Sequence, residues 1–134
     1  MINSKIIKLA SSTTNVGLKN VFTHKSTIKN SSCGDLIKVE FVSDKKKIKS
    51  MRYETEACVL CDASASLLAV LVKKFDLKDL QKDAKLLLKI KMHKKIILPL
   101  KFKEYGLLLN KKTINRINCV ILPMEALMKA FKVK

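Results

Sequence analysis

What is scarce in this chain narrows its possibilities before any motif is read. There is no tryptophan, there are two tyrosines, and among 28 basic residues only Arg52 and Arg116 are arginines. A nucleic-acid surface draws on arginine and on aromatic rings interleaved with cations, and neither is concentrated here. Lysine carries almost all of the formal net charge of +17, spread from Lys5 to Lys134. Its densest runs, Lys45 to Lys47 and Lys94 with Lys95, read as hairpin or loop decoration. The abundance of Lys, Ile and Asn together is what codon drift in an AT-rich genome produces. The charge is therefore read as a source of solubility or as steering towards an acidic partner protein. Long apolar runs are missing too. A bilayer span needs roughly 18 apolar residues, and the longest run here, LLAVLV at 67–72, stops at Lys73 and Lys74. MINSKIIKLASS holds no sustained apolar core, so a secretory signal is not expected.

What is present fits one globular domain over residues 1–134, long enough to bury a core and too short for two. The apolar fraction of 48% argues against disorder. Four cysteines without an export signal point to a reducing compartment, where thiols bind metals or do chemistry more often than they pair. The expected location is cytoplasmic.

The opening residues predict a short helix to about residue 10 with Ile6, Ile7 and Leu9 inward, ended by the Ser, Asn and Gly of SSTTNVGLKN. A loop is expected from there to about Ser32. LIKVEFVS, from Leu36, alternates: Ile37, Val39 and Phe41 share one face, Lys38 and Glu40 the other, as in a half-buried strand. The polar turn SDKKK leads to a second strand through Ile48, Met51 and Tyr53, completing a hairpin that runs into Cys58. Asp62 is expected to cap a helix over ASASLLAVLVKKF, with Ala63, Leu67, Val70 and Lys74 at helical spacing. Asp76 starts another, with a stripe of Leu77, Leu80, Ala84, Leu87 and Leu88. Residues 91–112, with Pro99 and Gly106, read as two short pieces, and LPMEALMKAFK as a final helix with Pro123 near its first turn. Strands first and helices after predict an α+β fold: a small antiparallel sheet of about three strands with helices packed on one face.

Chemistry gathers at the edges of these elements. Cys33-Gly34-Asp35 precedes the first clear strand, and Gly34 lets the backbone bend so that thiolate and carboxylate face one point. Cys58 ends the second strand just before a helix N-terminus, whose amides favour a thiolate. Cys119 stands just ahead of the last helix. These positions are far apart in sequence, so any shared site is assembled by folding. Three thiolates and a carboxylate make a tetrahedral set acceptable to Zn²⁺ or to iron–sulfur chemistry. Oxygen is a harder ligand than sulfur, so the site should exchange more readily than one of four cysteines.

The same residues lie in three ordered segments that resemble the IscU/NifU/SufU scaffold family of iron–sulfur cluster assembly, of the NifU N-terminal type. SCGDLIKVEF looks like the family's C-G-D segment entering a strand. TEACVLCDASASLLA is similar to its G-C-x-I-S-x-A-S-A-S segment, and RINCVILPMEAL to its R-x-x-C-x-x-L-x-W-x-A-L segment. The long interval from Cys58 to Cys119 and the R-x-x-C form look more like the SufU branch. The resemblance implies a scaffold or sulfur-transfer protein rather than a stand-alone enzyme. It implies Zn²⁺ or a [2Fe–2S] cluster held by Cys33, Asp35, Cys58 and Cys119. It also implies persulfide sulfur received from a SufS/IscS-like cysteine desulfurase, with Cys33 and Cys119 as candidate acceptors and no choice between them. Downstream cluster acceptor proteins would be further partners.

The pattern departs from the family in places. The His that IscU proteins carry before the third cysteine is Asn118 here, and the usual Trp is Met124. Cys61 stands where Ser is common, so C-x-x-C is read as one ligand plus a substituted helix residue, with a sulfur relay or redox role as the alternative. Blander readings stand beside the ligand set: Asp35 as a turn cap and Cys119 as a buried apolar thiol. Asp62 is read as an N-cap only, and His24 and His93 as surface residues. ASAS reads as close packing of the helix start. A zinc-stabilised basic nucleic-acid-binding module is the rival function. A thiol oxidoreductase built on Cys58 and Cys61 is disfavoured because no βαβ pattern surrounds them.

Overall fold

The structure, a computed structural model, describes residues 3–30, 34–93 and 95–132. Helix α1 (Ser4–Ala10) starts where Asn3 Oδ1 accepts the Ile6 N–H at 3.1 Å, satisfying one orphan donor of the first turn. Ile6 is buried and Leu9 partly so, but Ile7 faces out, because a helix this short has one side against the core.

The predicted loop to Ser32 hides a strand. β1 (His24–Lys29) pairs antiparallel with β2 (Leu36–Ser43), from His24 opposite Phe41 to Lys29 opposite Leu36. β2 pairs in turn with β3 (Ile48–Glu56), giving an antiparallel sheet of order β1-β2-β3. β1 is an edge strand whose outward residues include Lys25 and Lys29, a charge pattern that discourages edge-to-edge pairing. On β2, Ile37, Val39 and Phe41 are buried as expected. Glu40, assigned to the open face, is buried as well: the chain between α1 and β1 folds over it. Its Oε1 accepts the Lys19 and Asn20 N–H groups at 2.9 and 3.1 Å. Arg52 holds the same segment, donating from Nε to the Gly17 carbonyl at 2.9 Å. A register shift where Val42 faces Ser50 and Ser43 faces Ile48 leaves Lys49 as an extra residue. That bulge lets Ile48 and Met51 both point inward despite their odd spacing.

Helix α2 (Val59–Leu71) is the hub, packed against α1, β3 and α4 (Ile117–Ala130). It begins earlier than expected: Cys58 is the N-cap and Asp62 lies inside the first turn, its N–H bonded to the Cys58 carbonyl at 3.1 Å. The expected stripe fails at Val70, which is exposed: most of the circumference of α2 is buried, and Val70 lies on the narrow strip left open. α3 (Leu77–His93) buries Leu80, Ala84, Leu87 and Ile90, with Leu77 and Leu88 at the core's edge. A 3-10 segment (Leu100–Leu107) inserts Phe102 and Tyr105; the Phe102 ring lies 4.9 Å from that of Phe75. α4 also begins earlier than expected, so Cys119 is in its first turn and Pro123 well inside it. Pro123 has no N–H to give the Cys119 carbonyl, yet the helix continues to Ala130. Two contacts tie α4 to β1: Ser26 Oγ donates to the Ala126 carbonyl at 2.6 Å and Lys129 Nζ to the Thr27 carbonyl at 2.8 Å. Among the described residues no helix is long and apolar enough to cross a membrane.

Candidate metal centre

Three elements deliver three side chains to one point. Gly34 has φ +77, a left-handed conformation that glycine adopts without a Cβ penalty. Its N–H donates to the Asn30 carbonyl at 2.7 Å, and the Asn30 N–H donates to the Asp35 carbonyl at 2.7 Å. These bonds tie the end of β1 to the start of β2 and place Asp35 there. Cys58 follows β3 and caps α2, and Cys119 comes from the first turn of α4. A carboxylate oxygen of Asp35 and the Sγ atoms of Cys58 and Cys119 lie within 4.8 Å of one another. Ligand atoms around a tetrahedral zinc are about 3.3–3.8 Å apart, so a small contraction would close this set on an ion. Cys33, assigned to the same site, lies outside the described residues.

Burial makes this cluster unusual. Asp35 is 7% exposed and Cys119 4%, with Cys58 half-buried. Asp35 Oδ2 is buried with no hydrogen-bond partner among the described residues. A buried acceptor without a donor carries a full desolvation penalty, and a cation is the partner it lacks. The donor set, two sulfurs and one such oxygen, fits a borderline-soft divalent ion. The Cys119 thiol is pushed well above its ordinary range, first by burial, then by its hydrogen bond and charge interaction with Cys58 and its hydrogen bond to Asp35. Arg116 opposes that shift.

Arg116, the first residue of the R-x-x-C segment, also belongs to the site. It ends the 3-10 turn Ile114–Arg116, and the neighbouring Cys119 and Cys58 side chains favour its charged form. The available signal was its rarity, since it is one of two arginines in the chain. Behind the cluster, Ser64 Oγ donates to the Val120 carbonyl at 2.6 Å and Tyr105 Oη donates to the Ser64 carbonyl at 2.9 Å. The first bond ties α4 to α2 and so holds Cys119 in register with Cys58, and the second ties the 3-10 segment to α2.

Cys61 is not in the convergent set. It is fully buried in the first turn of α2 among core side chains. Burial pushes its thiol well up, reinforced by the charges of Asp35, Cys58, Asp62 and Cys119. Asp62 is no N-cap: it accepts from the Thr55 hydroxyl, and burial raises its carboxyl above the usual range. His93 is exposed. His24, expected at the surface, is half-buried and stacks on Phe131 with ring centroids 4.1 Å apart.

The family model for the NifU-like N terminal domain matches residues 1–83, a span that includes Asp35 and Cys58 but not Cys119. No curated protein matches the sequence. Solved structures share its fold along nearly the whole chain. The N-terminal part of a nitrogen-fixing NifU-like protein from Brucella abortus is 16% identical with a TM-score of 0.84, covering 97% of this chain and 91% of that one. A putative iron–sulfur cluster assembly scaffold protein for the SUF system, from the thermophile Fervidobacterium islandicum AW-1, is 21% identical with a TM-score of 0.80. It covers 96% of this chain and 95% of that one.

Proposed function

The chain belongs to the NifU-like N terminal domain family, and on that premise we propose that it is an iron–sulfur cluster assembly scaffold. In this reading it accepts persulfide sulfur from a cysteine desulfurase at a site of Cys33, Asp35, Cys58 and Cys119. The observation that carries the reading is the convergence of Asp35, Cys58 and Cys119 within 4.8 Å around an orphaned buried carboxylate oxygen. Purely structural side chains have no reason to leave that oxygen without a donor.

Sulfur arrives by thiol exchange. A thiolate of this chain, Cys33 or Cys119, attacks the outer sulfur of the desulfurase's cysteine persulfide. A new S–S bond forms here, the desulfurase's S–S bond breaks, and its cysteine leaves as a thiolate. No external oxidant or reductant enters. Arg116, whose charge interacts with Cys58 and Cys119, stabilises negative charge on the sulfurs as they exchange. Asp35 contributes the one hard donor, which makes whatever the site holds easier to release than four sulfurs would. When bound, Zn²⁺ supplies positive charge that keeps the sulfurs as thiolates, whereas a [2Fe–2S] cluster is the cargo. The reading takes residues 1–134 as one working domain in the cytoplasm, with cluster-accepting proteins as later partners. The test is metal, iron and sulfide content of protein purified without a tag, read beside desulfurase turnover. Stoichiometric metal or cluster and stimulated turnover are expected. A protein that takes up neither and leaves turnover unchanged overturns the reading.

A further inference from the structure

The chain leaving α3 forms a second feature that shares no residue with the cysteine cluster. Leu86 and Ile90 of α3 face Ile97, Leu98 and Pro99 across an apolar groove of about 300 Å³. That volume is at the small end for an enclosed ligand pocket, and suits a few aliphatic side chains rather than a cofactor. Two of its lining side chains are open to solvent, Ile97 at 63% and Leu86 at 39%, and Leu100, next in the chain after Pro99, is 81% exposed. Scattered apolar side chains on a surface are ordinary, but a contiguous group with a polar rim marks an interaction site.

The rim decides what fits. It consists of Lys89, His93 and Lys95, and among the described residues no carboxylate lines the groove. Glu125, on the neighbouring face of α4, is taken by Lys91 at 3.1 Å. A second copy of this chain is a poor occupant, since it would bring the same basic rim and another formal charge of +17 against the first. A nucleic-acid strand finds no aromatic platform among the lining residues. A segment with aliphatic side chains on one face and carboxylates beside them satisfies both the slot and its rim. The concave slot bounded by one helix is the arrangement that takes an amphipathic helix by anchors at i, i+3 or i+4 and i+7.

We infer that this groove docks an acidic amphipathic helix of a partner protein, its aliphatic anchors in the slot and its carboxylates against Lys89, His93 and Lys95. Nothing in this inference depends on the function of the cysteine cluster, and the cluster's residues stay out of the contact.

The experiment uses the full chain and a fluorescein-labelled synthetic peptide carrying leucines at helical anchor spacing and glutamates between them. Two comparators have the same composition scrambled, or lysines in place of the glutamates. Binding is followed by fluorescence anisotropy at physiological salt, with circular dichroism confirming that the Ile97→Ser and Lys89→Glu/Lys95→Glu variants fold. The acidic anchored peptide should bind the unmodified chain about tenfold or more tighter than its scrambled form. Ile97→Ser should weaken it about fivefold or more. The double charge reversal should weaken it about tenfold or more and improve binding of the lysine peptide. Equal binding to every variant and to the scrambled peptide overturns the inference in favour of a general lysine surface, and no binding at all overturns it outright. Sedimentation showing dimers that Ile97→Ser dissolves would assign the groove to a second copy. Phosphatidylglycerol vesicles that retain the unmodified chain but not Ile97→Ser would assign it to a membrane. Either result overturns it.

Discussion

Removing the Asp35 side chain should stabilise the protein when metal is absent and destabilise it when metal is present. Asp35 Oδ2 is buried with no donor among the described residues, a situation that without a bound cation costs about 1–3 kcal/mol. Asp35→Ala abolishes that cost. It also removes the hydrogen bond between Asp35 and Cys119, which contributes about 0.5–1.5 kcal/mol. The balance favours the variant by about 1 kcal/mol. For a chain of 134 residues, an unfolding entropy of about 2.1 cal/mol/K per residue converts this to a melting temperature higher by roughly 3–4 °C. With zinc at about a hundred times its dissociation constant, the unmodified protein gains about 2.7 kcal/mol, or roughly 9–10 °C. Asp35→Ala, lacking a ligand, gains much less, so the order of the two proteins inverts. Thermal denaturation of chelator-treated and zinc-titrated samples under reducing conditions measures all four values. A metal-free variant clearly less stable than its parent, or one that gains as much from zinc, would refute both the orphaned oxygen and the ligand role.

Cys61→Ser should keep full metal stoichiometry while lowering stability by about 1–2 kcal/mol, because a hydroxyl replaces a thiol in an apolar site. Cys58→Ser and Cys119→Ser should instead lose metal, and if Cys61→Ser loses it equally while Asp35→Ala keeps it, the ligand set is four cysteines. Tyr105→Phe removes the donor to the Ser64 carbonyl and should lower the free energy of unfolding in urea by about 1 kcal/mol; an unchanged midpoint would show that this buried bond does not hold the 3-10 segment to α2. With lysine supplying nearly all of the charge, binding to DNA or RNA should be sequence-independent and lost at moderate salt. Sequence-selective binding that survives physiological salt would revive the nucleic-acid reading.

The parts of the fold that were legible in the sequence are those whose pattern is set locally. β2 and α3 bury the side chains that their periodicity selects, since each has one face on the core. β1 was missed because HKSTIK has a single aliphatic side chain, half-buried Ile28. It is a strand because β2 offers it a ladder, a reason located in another segment. The start of α2 was misplaced because an acidic residue suits either an N-cap or a first turn. The choice was made by Thr55 on β3, whose hydroxyl reaches Asp62. Pro123 suggested a helix start for a similar reason. A proline inside a helix leaves a carbonyl without its usual donor, and only the surrounding packing decides whether the helix tolerates that.

The candidate site was legible as three segments, but its division of labour was not. Cys58 and Cys61 are equivalent as letters in a C-x-x-C, and both belong to the start of one helix. Moving that start back to Val59 separates them. Cys58 becomes the cap, outside the helix, half-buried and facing Cys119 and Asp35. Cys61 becomes a residue of the first turn, enclosed by the core and held protonated by burial. Enclosed there, Cys61 stands apart from the convergent side chains, whereas Cys58, half-buried and outside the helix, stands beside Asp35 and Cys119. Arg116 completes the distinction, because it ends the turn before α4 and its charge interacts with Cys58 and Cys119. In one sequence without its fold, neither the depth of Cys61 nor the reach of Arg116 is encoded by spacing. Both follow from where α2 and α4 begin, and those starts are set by contacts between segments that lie far apart in the chain.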